Sequence, residues 1–149
     1  MSMTAQTATA AERAFRADFE ANRVDLPGRA ALDRARGDAM SAFAKSGLPH
    51  RRIEEWKYTD LRAKLTEAYD PATPWAGKVA VENAFATCDA YRIVFANGYM
   101  RRDLSTLPET VEIANLADGV PDWATARLAA VPRANEPRTA ALTRALARD

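Results

Sequence analysis

Gly47-Leu48-Pro49-His50-Arg51-Arg52-Ile53-Glu54-Glu55-Trp56-Lys57-Tyr58-Thr59-Asp60-Leu61 is the most distinctive stretch of the 149-residue chain. It opens on a helix stop, with Lys45 in the last turn, Gly47 as a left-handed cap and Pro49 just beyond. Leu48 precedes a proline and is therefore expected to be extended. Thr59 or Asp60 can cap a short helix that resumes through Leu61 and Leu65.

Upstream, Ala11, Phe15 and Phe19 recur at i, i+4 and i+8, which predicts a helix over about 10–24. Leu26-Pro27-Gly28 interrupts it. A second helix is expected over about 29–45, where Leu32, Ala35, Ala39 and Phe43 form a stripe. Downstream, two prolines and a glycine between Asp70 and Gly77 read as a linker. Tyr91 to Ala96 is aromatic and β-branched and predicts a strand. Asn97-Gly98 favours a type I′ hairpin turn, with a returning strand over 99–102. Val111 to Ala114 alternates and suggests a further strand. A last helix from about Pro137 carries Ala141, Leu142, Ala145 and Leu146 on one side.

Composition narrows the function. There are 21 basic and 20 acidic residues, and the basic excess expected of a nucleic-acid-binding domain is missing. Cys88 is the one cysteine and His50 the one histidine. Iron–sulfur clusters and structural zinc need about four donors, so these residues are not expected to hold a metal or cofactor. No apolar run reaches the roughly 20 residues that span a bilayer. There is no secretory h-region either, and the expected location is the cytoplasm. The Ala/Thr-rich start faintly resembles a transit peptide, but Glu12, Asp18 and Glu20 soon break that pattern.

Each candidate site residue has a plainer reading. Arg51-Arg52 beside Glu54-Glu55 could dock a phosphate or a partner, but adjacent opposite charges read more simply as a solvated surface. Trp56 is expected to plug the gap beneath the two helices. Tyr58 is not expected to share a platform with it. His50 is expected in an exposed loop, and Cys88 as a buried or inert thiol. No Gly-rich phosphate loop, nucleophile elbow or triad spacing occurs, so no catalytic residue is assigned and no enzyme is expected.

The run GLPHRRIEEWKYTDLR, Gly47 to Arg62, resembles the segment that opens SufD members of the SufB/SufD family. There a Gly-Leu-Pro helix end precedes a basic pair, an acidic pair and Trp-Lys-Tyr-Thr. IVFANGYMRRDLSTLP, Ile93 to Pro108, is similar to the family's strand, turn and Leu-Ser step. EPRTAALTRALARD, Glu136 to Asp149, looks like its helix before the β-helical core. The SufD branch rather than SufB is suggested by the compact N-terminus and the single cysteine.

The resemblance implies a non-catalytic N-terminal part of a scaffold for iron–sulfur cluster assembly, with SufB and SufC as partners through the parent protein. The expected fold is α+β: a helical subdomain over 1–70, a linker over 71–90 and a strand-rich segment with a terminal helix over 91–149. That last segment would lead toward a β-helical core outside these residues. Two other classes fit the same residues: an independent protein-binding adaptor, and an RNA-binding module using Arg51, Arg52, Trp56 and Tyr58.

Overall fold

A reciprocal cap starts α1 (Ala10–Asn22). The Thr9 hydroxyl accepts from the Glu12 N–H, while the Glu12 carboxylate accepts from the Thr9 N–H. Two of the helix's orphan donors are thereby satisfied at once. Residues 23–25 continue as a 3₁₀ turn, and α2 (Arg29–Ser46) follows Gly28. α2 stops where expected, with the Gly47 N–H donating to Phe43 O. Gly47 has φ +65° but ψ −171°, so it exits in an extended direction rather than as a left-handed helical cap. Asp60 caps the short α3 (Leu61–Lys64) by accepting from the Ala63 N–H at 3.0 Å.

The structure, a computed structural model, describes residues 7–80, 87–129 and 138–148. Residues 1–6, part of the expected linker at 81–86, and Pro137 lie outside these. The described secondary structure is helical with one small antiparallel sheet, an α+β combination. No helix among the described residues is long and apolar enough to cross a membrane.

The chain divides into two compact units, residues 1–69 with 114–149, and residues 70–113. In the first, α2 packs chiefly on α5 (Arg138–Leu146) and also on α1 and α4 (Asp122–Ala129). The terminal helix thus groups with the first two helices and not with the strand segment before it. The reason is surface: Ala141 and Ala145 are buried, with Leu142 and Leu146 packed against the same cluster. α4 adds an element that the sequence patterns did not indicate.

Phe19, Phe43 and Leu48 are each within 1 % of full burial. Burial of each contributes about 1.5–3 kcal/mol. Phe15 meets Phe43 edge-on, with ring centroids 6.4 Å apart. Trp56 is not in this cluster. It sits half-buried on a 3₁₀ turn over 54–56, and Leu48 occupies the core instead.

Arg36 interrupts the buried face of α2 at 2 % exposure. It lies one turn from Leu32 and reaches past the apolar layer. It donates to Ala145 O and Ala147 O at 3.2 and 2.6 Å, and to Pro27 O at 2.8 Å. The guanidinium therefore closes the C-terminal carbonyls of α5, where a cation is favoured.

In the second unit, β1 (Phe95–Ala96) pairs antiparallel with β2 (Tyr99–Met100). Asn97 and Gly98 have φ +55° and +89°, the two positive values of a type I′ turn. The ladder is shorter than the expected strands, and Arg92 is tied to Thr106 by an isolated bridge. Val111 to Ala114 forms no strand. The Val111 N–H turns back to Pro108 O at 3.0 Å, and its side chain is 47 % exposed. Local alternation without a partner strand or a core to face is not enough.

Candidate functional site

The segment after Gly47 is held from both sides before it reaches the surface. Leu48 is buried, and its N–H donates to Glu12 Oε1 at 2.7 Å. The Pro49 carbonyl accepts from the Arg62 N–H at 3.0 Å, which ties the start of α3 to the same segment. Between these anchors the chain folds as consecutive tight turns. Ile53 N–H donates to His50 O, Trp56 N–H to Ile53 O and Thr59 N–H to Trp56 O, at 2.9–3.0 Å.

Glu12 is the hub. Its carboxylate is 2 % exposed and accepts from the backbone of both Thr9 and Leu48 at 2.7 Å. Arg62 Nη2 lies 3.8 Å from Oε2. Burial works to raise the carboxyl pKa. The Thr9 and Leu48 N–H bonds, the Arg62 charge and the Thr9 side chain outweigh it, so the group lies below its ordinary value. Gly47 is required here, because a Cβ on it would lie 2.6 Å from Glu12 Oε1.

Above this hub opens a cleft of about 340 Å³ lined by Thr9, His50, Arg51, Arg52, Asp60, Arg62 and Ala63. His50 is half-buried, and its Nδ1 accepts from the Arg52 N–H at 3.3 Å. With Nδ1 so engaged, Nε2 is the ring nitrogen left to donate. Arg62 Nη2 also donates to Thr7 O. Asp60, the one carboxylate in the lining, has Oδ1 engaged as the α3 cap.

The structure gathers His50, Arg51 and Arg52 into one place and leaves the other candidates apart. Glu54 pairs with Lys57 at 2.6 Å rather than with either arginine. Tyr58 is 91 % exposed, with the Lys57 ammonium 5.2 Å from its ring centroid. Neither it nor Trp56 lines the cleft. Cys88 is exposed, which excludes the buried alternative of the expected buried or inert thiol, and residues 87–93 around it are exposed as well. No group of three or more His, Cys, Asp or Glu among the described residues is placed to hold a metal ion. Thr9, Glu12 and Arg62 were not singled out by sequence reading. The Thr9-Ala10-Ala11-Glu12 spacing, a capping-box signature, is the signal that would have found the first two.

These features define a helical module carrying a surface cleft, with a hairpin-containing unit inserted between its segments. Residues 9–149 match the family model described as SufBD protein N-terminal region. The chain belongs to the SufB/SufD family of the SUF iron–sulfur cluster assembly system. No curated protein and no solved structure matches it.

Proposed function

We propose that the chain is the N-terminal part of a SufD-like scaffold component, non-catalytic and cytoplasmic, that binds partners within a SufB–SufC–SufD complex. In this reading a β-helical core follows in the parent protein, and the iron–sulfur cluster is cargo of the complex rather than a cofactor of these residues. The family match supports the SUF assignment. The single cysteine favours SufD over SufB and leaves cluster ligation to other polypeptide.

One observation carries the partner-binding role. In the second unit Tyr91, Ile93 and Phe95 are 67, 48 and 63 % exposed, while Val94 and Ala96 are 7 and 8 % exposed. Alternate residues of an extended segment share a side, so three large apolar groups form one outward strip. Such a strip gains free energy when a protein surface covers it. SufB, the paralogue expected in the same complex, is the proposed occupant.

The test is co-purification of the tagged chain with purified SufB and SufC. Retention of SufB that falls about tenfold in an Ile93→Asp/Phe95→Asp variant, with unchanged circular dichroism, is the expected result. Equal retention by the variant removes the strip from the interface. Indifference of the unaltered chain to both partners would favour an independent adaptor, and salt-sensitive retention on RNA would favour the RNA-binding reading.

A further inference from the structure

We propose that the cleft above Glu12 is a binding site for a small phosphate-bearing ligand, of pyrophosphate or phosphate-monoester class. The chain as a whole is nearly neutral, at +1. In the cleft Arg62 is countered by Glu12 beneath it, while Arg51 and Arg52 share one carboxylate, Asp60, which leaves three minus two, or +1, concentrated in one small volume.

The rim is also rich in donors. Asp60 is engaged in capping α3, and Arg62 commits Nη2 to Thr7 O and to the neighbourhood of Glu12. The side chains of Arg51 and Arg52 make no hydrogen bond or ion pair among the described residues. Each presents the planar fork that fits a tetrahedral oxyanion. His50 Nε2 and the Thr9 hydroxyl proton add further donors on the same rim.

The rim is preorganised as well. The backbone beneath the arginines is fixed by the His50–Ile53 turn, the Pro49–Arg62 bond and the buried Leu48. A ligand therefore meets a rim whose main chain is already placed, which lowers the cost of binding. The volume, about 340 Å³, exceeds that of a lone halide or carboxylate and lies at the small end of ligand clefts. The paired forks of Arg51 and Arg52 suit the several oxygens of a phosphate better than the two of a simple carboxylate.

The experiment titrates the full chain with sodium pyrophosphate at constant pH and low ionic strength, with acetate as the carboxylate arm. The imidazole NMR signals of His50, the one histidine, are the readout. Expected are saturable shifts with an apparent Kd below about 1 mM, and a loss of about tenfold or more in Arg51→Ala/Arg52→Ala. Acetate should leave the signals in place. Arg34→Ala, an exposed arginine outside the lining, should bind as the unaltered chain does. Three outcomes overturn the proposal: no saturation by about 10 mM, equal binding by the double variant, or equal loss in Arg34→Ala. Preference for single-stranded RNA over pyrophosphate, lost in the double variant, would replace a small-molecule site with a nucleic-acid surface.

Discussion

Glu12→Gln tests the hub on which the cleft rests. The substitution keeps shape and volume but removes the charge and turns one acceptor into a donor. Glu12 now accepts from two backbone N–H groups at 2.7 Å while 2 % exposed. The amide can accept from one of them, and its NH₂ then faces the other donor. One charge-assisted hydrogen bond is lost, at about 1.5–3 kcal/mol, and the second reverts to a neutral bond of about 1 kcal/mol. Arg62, 3.8 Å away and 16 % exposed, loses its counter-charge as well. The expected destabilisation is about 2–4 kcal/mol in urea unfolding at pH 7.

The pH profile makes the same point independently. The folded-state pKa of Glu12 lies below its unfolded value of roughly 4.3. Its contribution to stability is thus complete above that value and disappears as pH falls through the lower folded value. The gap between unaltered chain and Glu12→Gln should be flat from pH 7 to about 5 and narrow below about 4. A cost under about 0.5 kcal/mol at pH 7, or a gap that does not narrow with acid, would refute the hub.

Two further substitutions probe the same frame. Gly47→Ala places a Cβ 2.6 Å from Glu12 Oε1 at a residue with φ +65°. It should cost about 1–3 kcal/mol, and much less in a Glu12→Ala background, where the clash is gone; equal costs in both would show that the backbone angle alone matters. Arg36→Met keeps the apolar stem but strips the donors from Pro27, Ala145 and Ala147 carbonyls. A loss of about 2–4 kcal/mol is expected by thermal or urea unfolding, and an unchanged midpoint would show that those carbonyls find water instead.

Both long helices were legible because their determinants are local. The Phe15–Phe19 and Leu32–Phe43 stripes follow a period of 3.6, and Gly47 and Pro49 stop the second helix within a residue of its observed end. Asn97-Gly98 likewise carries its turn type in its own conformational freedom. The cleft was half legible. His50-Arg51-Arg52 is contiguous, but opposite charges two residues on pointed to mutual neutralisation. The fold instead gives Glu54 to Lys57.

What the linear order determined by itself is the helices other than α4, the hairpin turn and membership of the SufB/SufD family, since periodicity, caps and a dozen-residue motif are all short-range. Only the tertiary structure decided which elements share a core and which charges share a site. The pairing of α2 with α5 and the Arg36 contacts join residues about a hundred positions apart. The Glu12–Leu48 bond spans 36 positions. Such choices depend on surface burial and on the satisfaction of buried donors across the whole unit, and no local window of sequence carries that information.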